Sequence, residues 1–270
     1  MATLDEKTIQ DFDDQWTRYS DNEGWYGSLE LFQDIIDPLI DANDIQNKRV
    51  VDIGSGTGRI VGMLLKAGAS HVDAIEPAEG AFAKLEENVR AMERGESVTC
   101  INARGDDWKI TEPADFVISI GVIQFIPEPD STVKQCFDSL KPGGEIFFWL
   151  YSHEGNELYL SFIKPIRAIT TRLPHVALVS FNWLLYIILV AYRFLSLVLP
   201  LPLKRYLNQI WWPMTSRKRR LVIYDQLNPS YAKYHKRYEA IELLQKAGFT
   251  DVKAHHRHGY SWCVWGKKPT

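Results

Sequence analysis

The chain has 270 residues, 46% of them hydrophobic, and a formal net charge of −3. That length buries one large core, or one core with a small appendage, and the nearly neutral balance gives no reason to expect nucleic acid. Cys100, Cys136 and Cys263 lie far apart and form neither a CxxC pair nor a disulfide framework, so the expected setting is a reducing cytoplasm.

The first residues, MATLDEKTIQDFDDQW, are acidic and carry no apolar run of the kind a cleaved signal needs. Residues 1–47 are expected to form a helical segment ahead of the core. From residue 48 onward the chain alternates. Residues 49–53 predict a strand because Val50, Val51 and Ile53 are β-branched. A glycine turn and a helix over 58–67 follow. HVDAIE (71–76) predicts a second strand, and Phe82, Leu85 and Val89 set helical spacing through 80–94. Further strands are expected at 98–103, 115–120 and 145–150, with a helix near 130–140 that the KPGG run stops. Such alternation implies a doubly wound, mostly parallel α/β sheet. Residues 173–203 then turn almost wholly apolar, with Arg193 the single formal charge. A basic cluster follows (Lys204, Arg205, Arg217, Lys218, Arg219, Arg220), enclosing Trp211 and Trp212. A helix over 238–247, closed by Gly248, and two strands at 250–255 and 260–265 resume the α/β pattern. The division expected is a segment 1–47, a core of 48–151 and 221–270, and an insertion of 152–220.

Residues 50–60, VVDIGSGTGRI, place glycines at 54, 56 and 58, where the missing Cβ lets a ligand approach the turn closely. A P-loop is excluded, since Arg59 and Ile60 stand where its lysine and hydroxyl would be. A dinucleotide site wants GxGxxG, and here Arg59 replaces the third glycine. S-adenosylmethionine carries no phosphate and depends less on that geometry. Its ribose needs an acidic acceptor after the second strand, which Glu76 supplies. Asp106 can accept from an adenine amino group, and Trp108 can pack nearby.

Taken together, VVDIGSGTG, AIEP, GDDW, DFVISIGVIQFIPEP and LKPGGEIFFWL resemble the class I S-adenosylmethionine-dependent methyltransferases. The resemblance covers roughly residues 48–150 and implies a Rossmann-like seven-stranded sheet. It implies that Asp52, Gly54, Ser55, Gly56 and Gly58 line the methionine and ribose side, and that Glu76, beside Pro77, holds the ribose. Asp106, Asp107 and Trp108 would flank the adenine, and Ile120 and Gly121 the methionine chain. QWTRY (15–19) resembles the aromatic lids of such enzymes, so Trp16 and Tyr19 are expected to close over the cofactor. Where many relatives carry a histidine after the fourth strand, this chain has Gln124.

A hydroxyl acceptor needs a base more than an amine or thiolate does. Tyr151 and His153 follow the fifth strand, at the carboxyl edge where open α/β sheets bind ligands. Asp225, Tyr231, Tyr234 and His235 follow the insertion. Tyr151, His153, Tyr234 and His235 are the catalytic candidates. His255, His256 and His258 do not complete a metal site, because strand alternation splits them between two faces. The apolar run is long enough to span a bilayer. A single crossing would separate the last two strands from their sheet, so a re-entrant or in-plane helical hairpin is favoured over a soluble cap or a homo-oligomer interface, with Pro174, Pro200 and Pro202 as its breaks and with the basic run, Trp211 and Trp212 at anionic lipid headgroups. The function expected is methyl transfer to a small or lipid-linked acceptor. The alternative is a non-catalytic module that uses the insertion to bind a partner.

Overall fold

In strand β1 (Arg49–Ile53) alternate side chains enter opposite layers: Val50 packs with one apolar cluster, Val51 and Ile53 with another. That alternation requires cover on both faces. The computed structural model describes residues 3–18, 22 and 24–270, and says nothing of the side chains of Arg18 and His175. In chain order its main elements are α1 (Leu4–Arg18), α2 (Leu29–Ile36), β1, α3 (Arg59–Lys66), β2 (His71–Ile75), α4 (Glu79–Ala91), β3 (Val98–Ile101), β4 (Ala114–Ile120), α5 (Asp130–Ser139) and β5 (Leu140–Tyr151). There follow α6 (Glu157–Thr170), α7 (His175–Val198), α8 (Lys204–Tyr206), α9 (Ser216–Leu227), α10 (Arg237–Ala247), β6 (Thr250–Arg257) and β7 (Ser261–Lys267).

The seven strands form one sheet in the order β3-β2-β1-β4-β5-β7-β6. β1 through β5 pair in parallel, and β7 runs antiparallel to both β5 and β6. Helices α2, α3 and α4 bury Phe32, Leu64 and Leu85 on one face, while α5 and α10 bury Val133, Cys136 and Leu244 on the other. The seven-stranded, doubly wound sheet read from the sequence is therefore present. The order reverses at β1, so the ends of β1 and β4 open a crevice at the carboxyl edge.

The start of β5 differs from the expected 145. Leu140 already pairs with Ala114, and a register shift then carries the ladder to Phe116 and Glu145. The KPGG run is thus the irregular start of β5, with Gly143 at φ +76°, and not a free loop.

Beyond β5, α6, α7 and α9 make a third apolar cluster around Leu160, Ile163, Leu178, Trp211 and Tyr224. α9 runs unbroken across residue 220, so this helical layer reaches Leu227. Thr170 Oγ1 donates to the Leu227 carbonyl (2.9 Å) and Asn182 Nδ2 to the Arg220 carbonyl (3.1 Å). The apolar run does not fold into the expected hairpin: α7 is one continuous helix of 24 residues between Pro174 and Pro200, with no breaking residue inside it. Packing closes the expected seat at lipid headgroups to Trp211 and to part of the basic run. Trp211 and Lys218 are each 1% exposed, the Lys218 Nζ lying 4.7 Å from the Tyr26 ring centre. Arg219 lies over Trp212 at 4.2 Å and Arg220 over Trp183 at 4.0 Å, so aromatic faces hold these cations within the layer.

Candidate active site

The turn after β1 places Gly54 at φ +73°, Gly56 at +54° and Gly58 at +87°. Gly54 N–H and Ser55 N–H both donate to the Ile75 carbonyl (2.9 and 3.0 Å), which ties the turn to the end of β2. Gly54 and Gly56 line a cavity; Gly58 lies behind it, where an added Cβ would meet Leu85 at 3.0 Å. A Cβ on Gly54 would run into the Cγ atoms of Val122. Gly54→Ala is therefore expected to cost about 1–3 kcal/mol through positive φ and crowding together. Urea denaturation checks this, and a loss under about 0.5 kcal/mol would mean that the turn relaxes freely.

Glu76, at the end of β2, is buried, and its carboxylate accepts from Gly56 N–H (2.8 Å) and Ala78 N–H (3.0 Å). Burial pushes its pKa up to about 7, against the lowering effect of those two amides, and the nearby Asp52 adds to the rise. Asp52 is buried too, and burial raises it to about 7; neither of its carboxylate oxygens has a hydrogen-bond partner among the described residues. Glu76 lines the cavity beside the open glycine turn, where its buried carboxyl leaves acceptor capacity that a ligand rich in hydroxyls and amines would use; Asp52, expected on the same wall, does not line it.

The cavity measures about 1120 Å³. Pockets for a single small ligand run roughly 300–1,000 Å³, so there is room for a cofactor and an acceptor together. Its cofactor end is lined by Gly54, Ser55, Gly56, Glu76, Pro77, Asp106, Ile120 and Gly121. Asp107 does not line it, and Trp108 is a core side chain whose indole N–H donates to the Gly105 carbonyl (2.9 Å). Gln124 is buried outside the wall, its side-chain amide without a partner among the described residues.

Helix α1 forms the roof. The Trp16 indole lies against the turn, 3.5 Å from where a Gly56 Cβ would stand. Asp13 Oδ1 accepts from Ala81 N–H (2.9 Å), Phe12 meets Phe125 edge to face at 4.7 Å, and Asp11 Oδ2 accepts from Ser230 N–H (2.7 Å). The helix thus bridges α4 and the segment after α9. Tyr19 lies outside the described residues. Arg59, at the start of α3, also lines the cavity and sits 4.4 Å over Tyr26. Its position one residue past the glycine turn is the sequence signal that would have marked it as a carboxylate partner.

The acceptor end gathers Tyr151, Asp225, Gln226, Tyr159 and Tyr234 in one hydrogen-bonded group. Tyr151 Oη donates to Asp225 Oδ2 (3.0 Å), and Tyr151 and Tyr234 stack at 5.0 Å. His235 N–H donates to the Tyr151 carbonyl and His153 N–H to the His235 carbonyl, both at 2.8 Å, which staples this segment to the end of β5. The two histidines themselves do not line the cavity. Burial lowers the His235 pKa to about 4, and both its ring nitrogens are without partners among the described residues. Of the four catalytic candidates, the fold brings Tyr151 and Tyr234 to the cavity and leaves His153 and His235 behind it. On β6, His256 stacks on Trp262 at 4.3 Å; just past β6, His258 bonds Asp34 (2.9 Å).

S-adenosylmethionine fits these residues: Glu76 can accept from ribose hydroxyls, Asp106 can accept from an adenine amino group, and Arg59 can face a carboxylate. Residues 50–144 match a family model described as a methyltransferase domain. A ubiquinone biosynthesis O-methyltransferase of Aromatoleum aromaticum is 31% identical over 133 residues, which cover 46% of this chain and 56% of that protein. The chain thus spans little more than half the length of that curated relative. Human N-acetylserotonin methyltransferase, solved with S-adenosylmethionine, superposes with a TM-score of 0.52 at 12% identity, over 99% of this chain and 57% of that one. An O-methyltransferase family protein from Burkholderia thailandensis gives 0.56 at 11% identity, over 96% and 59%. At such identities the likeness to the solved structures is one of fold. Sheet order, glycine turn and buried Glu76 agree with that match: residues 50–144 form a methyltransferase domain within a class I S-adenosylmethionine-dependent methyltransferase fold.

Proposed function

We propose that this protein methylates a hydroxyl group on an amphipathic acceptor, a phenol or quinone precursor with an apolar tail, at the cytoplasmic face of a membrane. The observation that carries this reading is the continuity of the cavity. The same space lined by Glu76 and Gly56 also meets Tyr151 and Asp225, and ends among Phe162, Ile188 and Leu203. Those last three side chains are largely exposed on the helical layer. A polar head can therefore reach the buried Tyr151 group while its tail leaves along α6 and α7.

When bound, the cofactor supplies a methyl group on a sulfonium, which an oxygen lone pair can displace. The chain's own contribution is alignment and exclusion of water: Trp16 and Phe12 close the roof, and Tyr151 holds the hydroxyl. Alignment supplies most of the rate gain in a direct displacement. The relatives named for ubiquinone biosynthesis favour an aromatic hydroxyl as the acceptor. The exposed apolar face of α7, with a mean hydropathy of 1.8 over Val176–Val198, favours a lipid surface.

The test is methyl transfer from labelled S-adenosylmethionine to 4-decylcatechol, decylamine and decanethiol presented in vesicles. Transfer to the catechol, with little to the other two, is the expected result. Transfer confined to the amine or the thiol would overturn the choice of acceptor.

A further inference from the structure

A hydroxyl that gains a methyl group must lose its proton, and among the described residues the acceptor end of the cavity contains no exposed base. We propose that Tyr151 and Asp225 form a two-step relay that carries this proton from the acceptor to a carboxylate supplied by α9. The inference rests on the hydroxyl methylation proposed above.

The hydrogen-bond inventory supports it. A phenol oxygen has one proton to donate and two lone pairs. Tyr151 Oη donates its proton to Asp225 Oδ2 (3.0 Å) and accepts from Gln226 Nε2 (2.7 Å). One lone pair is left, on a side chain that lines the cavity. The orientation of Gln226 is set from its other end, where Oε1 accepts from Tyr159 Oη (2.8 Å) and Tyr234 Oη (3.2 Å). Its amide nitrogen must therefore face Tyr151. Asp225 Oδ1 accepts from Gln15 Nε2 (3.0 Å), so α1 fixes the carboxylate from the opposite side. Arg167 reaches the same group, donating through Nε to the Gln226 carbonyl (2.9 Å) and through Nη2 to Tyr234 Oη (3.5 Å).

The step balances. The acceptor oxygen forms its bond to the methyl carbon, and the carbon–sulfur bond breaks with its electron pair left on sulfur. The acceptor O–H proton passes to Tyr151 Oη as the tyrosine's own proton passes to Asp225 Oδ2. The protonated carboxyl returns its proton to water when the product leaves. Burial, the largest influence on Asp225, raises its pKa and brings its basicity nearer to neutral pH, against the lowering effect of its Gln15 and Tyr151 hydrogen bonds and of Arg167 and Arg59. Tyr151 itself is pushed well above the usual tyrosine range, first by burial and then by the Asp225 charge, so it passes a proton on without resting as phenolate.

The experiment compares the native protein, Asp225→Asn and Tyr151→Phe on 4-decylcatechol and on 4-decyl-5-nitrocatechol, which is ionised at neutral pH and arrives without the proton. On decylcatechol both variants should lose about 100-fold or more in kcat, the range for a positioned acid–base group. On the nitrocatechol they should stay within about threefold of native, since no proton transfer remains to be helped. The native kcat/KM on decylcatechol should rise with pH to a plateau, and Asp225→Asn should remove that rise. A second readout needs no turnover. Without cofactor, calorimetry should show the native protein preferring decylcatechol to its dimethyl ether by about tenfold, and Tyr151→Phe reducing this to about twofold. Equal losses on both catechols, or an unchanged preference in Tyr151→Phe, would overturn the relay and leave the acceptor class standing. A native protein that methylates neither catechol would overturn the acceptor class, and the relay with it.

Discussion

Glu76→Ala should weaken S-adenosylmethionine binding by about 1.5–3 kcal/mol, which is roughly 10- to 150-fold in Kd. The magnitude follows from what Glu76 does in the fold. Its carboxylate is held rigidly by the Gly56 and Ala78 amides, so hydrogen bonds from ribose hydroxyls would meet a preorganised, desolvated acceptor. Removing it also frees Gly56 N–H from its partner and loosens the turn. Titration calorimetry measures the change. An unchanged affinity, or tighter binding of a nicotinamide dinucleotide than of S-adenosylmethionine by the native protein, would remove Glu76 from the cofactor site.

The same residue sets a pH dependence whose sign can be derived. Burial raises Glu76 to about 7, and ribose hydroxyls donate best to its charged form, so cofactor binding lowers that pKa and releases a proton. Affinity should therefore fall as pH drops below about 7 and level off above it, and Glu76→Gln should remove the larger part of this slope. Asp52, also near 7, and Asp13 on α1 face the same group, so a smaller slope should remain. For the cofactor-free fold the sign is the opposite. Folded pKa values raised above the ordinary 3.8 and 4.5 mean that Asp52 and Glu76 contribute stability fully only below about pH 4, and that this is lost as pH rises to about 7.

The end of the cavity proposed to hold the cofactor is legible in the sequence because it is local. Gly54 and Gly56, Glu76, Asp106, Ile120 and Gly121 each lie at or within a few residues of the end of a parallel strand, and parallel strands place all such ends on one edge. The acceptor half is not local. Gln15 and Asp225 meet across 210 positions, and Tyr151 meets Gln226 across 75. No spacing rule joins them; only the docking of α1 and α9 over the same end of the sheet does so. His153 and His235 show the limit from the other side. They have chemistry suited to a base and stand within two residues of Tyr151 and Tyr234, yet neither lines the cavity. Only part of the basic run is free to act as a headgroup motif, for a related reason. Composition cannot tell a lysine that packs on Tyr26 from one that meets lipid, and Lys218 does the former.

Attachment to lipid, if α7 lies on a membrane surface as proposed, should depend on apolar area more than on charge. Val176, Ile187 and Val198 are 77%, 61% and 83% exposed, and Leu184, Ile188 and Leu195 are also exposed on the same helix. Among the described residues nothing covers them. α7 cannot cross the bilayer, because β6 and β7 return to the sheet that β1 to β5 begin. Burying one such side chain in the interface contributes about 1.5–3 kcal/mol, whereas a basic residue near anionic lipid contributes about 1 kcal/mol. Lys204 and Arg205 remain exposed for that second role, while Lys218 does not. Leu184→Glu combined with Ile187→Glu changes two side chains outside the cavity wall, so cofactor affinity should hold. Co-sedimentation with anionic vesicles should fall by about 100-fold or more, from two apolar contributions lost together. Lys204→Glu with Arg205→Glu should weaken attachment mainly at low salt, where screening is least. If the native protein stays in the supernatant and is monomeric, α7 is a soluble cap. If it stays there as a dimer that the Leu184→Glu and Ile187→Glu pair dissociates, the apolar face is a subunit interface, and the acceptor must reach Tyr151 from water.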